Sequence, residues 1–122
     1  MLRVYVAGKY NGPDVLAIAT NIRKGNRLSA DVMKAGMAPF CPWLDFQLAL
    51  TDDFTVEQFK ACSMEWVKCA DAMLLVEGWE NSQGVADEIV VAHQFEVRIF
   101  HKLEDLVKWQ KQWEAGTIGY FD

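Results

Sequence analysis

The run Gly78-Trp79-Glu80-Asn81-Ser82-Gln83-Gly84-Val85-Ala86-Asp87-Glu88 puts a carboxylate where chemistry can be done. Ser82 has the side chain of a helix N-cap, and the helix it opens is predicted to run to about Phe95. Counted from that cap, Gly84, Val85, Glu88, Ala92 and Phe95 share one face, while Asp87 points to water. A glutamate on an apolar stripe is costly unless something holds it. Glu88 is therefore either the edge of the stripe, reaching solvent or a basic residue, or a group held by partners for a task. Gly84 lies one turn before it and leaves room for a ligand above the carboxylate. The free N–H groups of Gln83 and Gly84 make a helix start of the kind that binds phosphate or carboxylate. An ordinary N-cap accounts for Ser82 equally well.

Other candidates fall at the same end of the predicted elements. Tyr5-Val6-Ala7-Gly8 closes a first strand, and Gly8 would admit close backbone approach or is a routine strand-to-loop glycine. Trp43 and Trp79 lie in loops, where an indole can stack a base or cover the rim of the core. His93 and His101 have no partner at ligand spacing, so no metal site is expected. There is no G-x-G-x-x-G, no Walker lysine motif and no G-x-S-x-G elbow, and no cofactor is expected.

The elements that must carry these residues alternate. Leu2–Ala7 is a short buried strand. Val15 to about Ala35 is a helix with Val15, Ile18, Ala19, Ile22, Ala30 and Met33 apolar and Gly25-Asn26 as a weak point, closed by Gly36. Met37–Phe40 is a strand whose Pro39 sends it to a sheet edge. Cys41–Phe54 reads as an irregular loop. Thr55-Val56-Glu57-Gln58 is a capping box for a helix to about Ala70, with Val56, Phe59, Cys62, Trp66 and Cys69 on its apolar side. Ala72–Val76 is continuously apolar, as in a central parallel strand. Val97–Phe100 is a fourth strand, and Leu103, Leu106, Val107 and Trp113 mark a final helix. The order β-α-β-α-β-α-β-α implies α/β architecture: one doubly wound, flavodoxin-like parallel sheet of four or five strands with helices on both faces. Pro39 at the edge gives the strand order 2-1-3-4. Ligands in such sheets bind where strands one and three diverge, beyond their carboxyl ends.

Composition narrows the partners. A chain of 122 residues is one domain, residues 1–122, and 52% apolar residues supply a core. A net charge of -5 argues against a nucleic acid polymer, though not against a small nucleotide. Three cysteines, Cys41, Cys62 and Cys69, lack zinc or redox spacing and read as reduced thiols. With no membrane-length apolar run and no signal peptide, the expectation is a cytoplasmic protein.

The residues also resemble a family. Val4-Tyr5-Val6-Ala7-Gly8, then a long helix, Gly36 and Pro39-Phe40-Cys41-Pro42, looks like the start of nucleoside 2-deoxyribosyltransferase-like proteins. Trp66, Cys69-Ala70-Asp71-Ala72-Met73-Leu74-Leu75-Val76 and the Gly78–Glu88 run with Ala92 resemble a small phage and bacterial branch of it. The resemblance covers roughly the first hundred residues, most of an ordinary domain. It implies that Glu88 attacks the sugar C1′ and displaces the base, by double displacement as in retaining glycosidases. It implies that Tyr5 hydrogen-bonds the nucleophile and that Gly8 contacts the sugar. Where the transferases carry an aspartate, six residues before the nucleophile, this chain has Ser82, as do nucleoside 5′-monophosphate N-glycosidases, where the serine helps hold the phosphate. The glycosidases' acidic residue before Trp66 falls here on Ser63, and their basic glycine-rich loop is replaced by Lys9-Tyr10-Asn11-Gly12-Pro13. Lys9 could serve a phosphate, and Asp45, Asp52 or Asp53 could supply the acid. The implied partner is a small nucleoside or nucleotide, and the implied assembly is a homo-oligomer, with Tyr120-Phe121 offered for its contacts. The alternative is a non-catalytic nucleotide-binding or oligomerising module of the same fold.

Overall fold

Strand β1 (Arg3–Ala7) sorts its side chains by the two-residue period of extended backbone. Val4 and Val6 point into one core with Leu74, Val76, Val32, Trp43 and Leu106. Tyr5 and Ala7 point into the other, with Met73, Leu75, Val67, Val85 and Ala92. In a computed structural model that describes residues 1–116, β1 is central in a four-stranded sheet. The Tyr120-Phe121 tail lies outside the described residues. The other strands are β2 (Ala38–Phe40), β3 (Ala72–Leu75) and β4 (Arg98–Phe100). The order is β2-β1-β3-β4, with every pair parallel. Pro39 sits in edge strand β2, opposite Val4, where its missing N–H leaves no inner ladder broken.

Helices α1 (Val15–Lys34) and α4 (Leu103–Glu114) cover the first face; α2 (Val56–Cys69) and α3 (Gln83–Gln94) cover the second. Their starts follow from local chemistry. Asp14 accepts from the Ala17 N–H at 2.8 Å. Thr55 and Gln58 bond each other's backbone N–H in a reciprocal capping box. Ser82 accepts from the Val85 N–H at 3.2 Å. Each cap replaced by alanine costs about 1 kcal/mol. No helix among the described residues is long and apolar enough to cross a membrane.

Several predicted details are corrected. In α1, Val15 and Met33 are exposed, and Gly25, Ser29 and Val32 are buried instead. Gly25 is not a weak point but the contact itself: a Cβ there would stand 2.5 Å from the Trp43 ring. In α2, Val56, Cys62, Trp66 and Cys69 are exposed, and Val67 is the buried residue. The inward line is Phe59, Ser63 and Val67, which the apolar count missed because Ser63 is polar. The Cys41–Phe54 segment is not irregular throughout; Pro42–Leu50 forms a 3-10 helix. Phe95 is not inward: it is half exposed, at the end of α3.

Candidate active site

The carboxyl ends of β1 and β3 open onto a cleft of about 610 Å³. Its walls come from the loop after β1 (Gly8 to Asn11), the 3-10 segment Pro42–Leu50, the first half of α2, and the N-terminal turns of α3. This is the crevice expected of a doubly wound sheet at its switch point.

Tyr5 and Glu88 meet at its inner end. β1 sends Tyr5 toward α3, and the spacing of α3 brings Glu88 back over the sheet. The Tyr5 phenol donates a hydrogen bond to Glu88 Oε2. The phenol is fully buried, and its ring stacks on Phe40, which stacks in turn on Trp66. Those ring contacts hold the donor in one orientation. Burial pushes the Glu88 carboxyl up to about 7; the Tyr5 hydrogen bond opposes that rise and the nearby Asp87 charge adds to it. The Tyr5 phenol is driven far above its ordinary value by burial and by the adjacent Glu88, so it stays a donor. Ser63 reaches the same phenol from α2 and partly offsets that rise. Of the two readings of Glu88, the geometry therefore favours a held carboxylate over one reaching bulk solvent.

The remaining residues divide. Gly8, Lys9, Trp43, Ser82 and Gly84 all line the cleft. Gly84 keeps space open: an added Cβ would meet only Ser82 Oγ, at 3.7 Å. Gly8 has a packing task, since a Cβ there would stand 2.7 Å from the Val76 side chain. Trp43 is not an exposed stacking surface; it lines the cleft but is 6% exposed and fills the core between Gly8 and Gly25. Trp79 is not on the cleft. It packs against the second core and edge-on to His101, with ring centroids 5.5 Å apart. Asp45 lines the cleft, whereas Asp52 and Asp53 are exposed on the chain beyond the 3-10 segment. Among the described residues, no group of three His, Cys, Asp or Glu could hold a metal ion, and all three cysteines are free thiols.

Sequence reading missed Tyr10, Phe46, Phe54, Phe59 and Lys60, which form much of the cleft wall. Phe59 and Lys60 carried a signal, because they lie on the same turn of α2 as the inward Ser63. Phe46 and Phe54 carried none, because the segment between β2 and α2 has no simple hydrophobic period.

Fold and site together define a doubly wound α/β domain with a phenol-held glutamate in its switch-point crevice. The chain belongs to the family of the domain of unknown function DUF7768, whose model matches residues 2–102. That stretch contains every residue of the cleft wall. No curated protein matches the chain.

Proposed function

We propose that this domain cleaves or exchanges the N-glycosidic bond of a (deoxy)nucleoside or its 5′-monophosphate, with Glu88 as nucleophile. The observation that carries the reading is the Tyr5–Glu88 pair at the inner end of an open cleft. With Oε2 held by the phenol, Oε1 is left to attack C1′. The C1′–N bond breaks as the C1′–O bond forms, and the base leaves with the electron pair. The glycosyl ester then yields to water in hydrolysis, or to a second base in transfer, and Glu88 is regenerated. Two displacements retain the anomeric configuration.

The first turn of the helix that carries Glu88 supports a charged substrate. The first N–H groups of α3, on Gln83 and Gly84, have no carbonyl of their own helix to bond. They and Ser82 line the cleft, and a helix start of this kind accepts a phosphate. Lys9 and Lys60 line it too, and neither forms an ion pair among the described residues.

The test is chromatography of free base after incubation with a panel of nucleosides and 5′-monophosphates. We expect release with at least one, reduced about a thousandfold or more in Glu88→Ala. One observation favours a second reading, a binding module without turnover: Ser63, a poor acid, lies beside Tyr5. Stabilisation by a monophosphate with no base released would establish that second reading.

Self-association belongs to the same proposal. Leu44, Leu48, Leu50 and Val56 are exposed beside the aromatic cleft wall, and apolar surface of that kind marks interaction sites. Sedimentation velocity at micromolar concentration should show a homo-oligomer; a monomer would remove that part.

A further inference from the structure

The loop between β1 and α1 supplies four consecutive residues of the cleft wall: Gly8, Lys9, Tyr10 and Asn11. It forms neither helix nor strand, so its shape has to be fixed from outside. A loop left free would lose chain entropy each time a ligand ordered it. Helix α1 does the fixing. The Asn21 side-chain amide donates to the Tyr10 carbonyl at 3.2 Å and to the Asn11 carbonyl at 3.0 Å. One turn earlier on the same face of α1, Ala17 receives Gly12, where a Cβ would stand 2.7 Å from the Ala17 Cβ. Asn21 is half-buried and is not itself part of the cleft wall.

These two bonds decide which way the loop backbone faces. An asparagine amide has two protons, one for each carbonyl. No peptide among the described residues is cis, so each N–H lies opposite the carbonyl of its own peptide unit. The Tyr10 carbonyl faces Asn21, and the Asn11 N–H therefore faces away from α1. The N–H of the next unit, on Gly12, is taken by the Asn11 side chain at 3.3 Å. The Asn11 N–H has no hydrogen-bond partner among the described residues. A ligand beside Asn11 thus meets a free donor, with both neighbouring carbonyls turned onto the helix. On its other side the loop is tied to the 3-10 segment, where the Tyr10 and Phe46 ring centroids lie 6.3 Å apart.

We propose that Asn21 is a positioning residue for the substrate: by drawing the Tyr10 and Asn11 carbonyls onto α1, it holds the loop as a preformed wall and presents the Asn11 N–H to an acceptor oxygen of the bound molecule. The role rests on the N-glycosidase reading above. Asn21 acts only through the loop, whereas Tyr5 and Glu88 stand on β1 and α3. The contacts it organises are made before and during the reaction alike. Losing them should raise KM and leave kcat in place.

The experiment compares wild type with Asn21→Ala and Asn21→Asp on the nucleotide that the wild type cleaves. Alanine removes both donors, and its better helix propensity offsets part of the lost bonding in stability. Aspartate keeps the size and sets an acceptor against two carbonyl oxygens. We expect KM to rise about tenfold in Asn21→Ala and further in Asn21→Asp, with kcat nearly unchanged in both. Trypsin should cut after Lys9 faster in both variants, as mass spectrometry of the fragments will show, because a released loop is the easier substrate. Wild-type KM in Asn21→Asp would reduce Asn21 to packing and overturn the proposal. So would equal falls in kcat and kcat/KM, or an unchanged rate of cleavage after Lys9. Each of these leaves the Glu88 reading standing. If the wild type binds a 5′-monophosphate without cleaving it, Kd by calorimetry takes the place of KM, and an unchanged Kd in Asn21→Asp overturns the proposal. A wild type that neither cleaves nor binds any member of the panel overturns both.

Discussion

At the scale of the residue, Glu88 is held against its solvation preference. Burial pushes its carboxyl from 4.5 to about 7, despite the Tyr5 hydrogen bond. The unfolded chain gives up this proton near pH 4.5, whereas the folded chain keeps it to about 7. Between those values the folded state binds more protons, so stability falls as pH rises. The loss amounts to about 3 kcal/mol at most. Glu88→Gln keeps an acceptor for Tyr5 and removes the ionisation. It should raise Tm at pH 8 and change it little at pH 4.5, as thermal melts at the two values will show. Gly84 separates stability from binding in the same way. Alanine at this early helical position should stabilise the fold by about 0.5–1 kcal/mol, because its Cβ meets no clash. The same methyl intrudes on the cleft, so KM for a monophosphate should rise while Tm also rises.

At the scale of the element, the site depends on one glycine against one indole. Gly25 of α1 lets the helix settle on Trp43, which in turn packs under Gly8 at the cleft floor. Gly25→Ala should cost about 1–3 kcal/mol through overpacking of a stiff ring, read as a lower midpoint in urea with an unchanged slope. This contact was hidden in the sequence, where glycine in a helix signals only weakness. The strand pattern was legible for the opposite reason. Pro39 excludes an inner position, and the unbroken Ala72–Val76 run requires cover on both faces, so the order followed. Ser82 and Glu88 were legible because cap and helical spacing act within one helix. The α2 face was not, since two cysteines and a tryptophan that count as apolar lie outward, with Ser63 turned inward. Asp45 stood among three aspartates of equal claim until the 3-10 helix put one in the cleft and left two outside.

At the scale of the whole molecule, binding and folding are linked by mass action. A 5′-monophosphate held by α3, Lys9 and Lys60 should raise Tm more than the matching nucleoside does. At a hundred times Kd the gain is about 2.7 kcal/mol, and calorimetry at equal concentrations of the two compounds will read the difference. Added salt should shrink the monophosphate effect first, since its extra contacts are charged.

The hydrogen bond between Tyr5 and Glu88 joins residues 83 positions apart in the chain. Tyr5 lies in the first strand, yet its acceptor arrives only after β3 has paired beside β1. During synthesis the face of the first strand that bears Tyr5 and Ala7 must therefore wait for most of its core partners, which are made much later. Parallel pairing across such distances is slow and exposes the chain to aggregation. Any turnover becomes a late marker of a finished fold: in refolding, helix signal by circular dichroism should return before activity does.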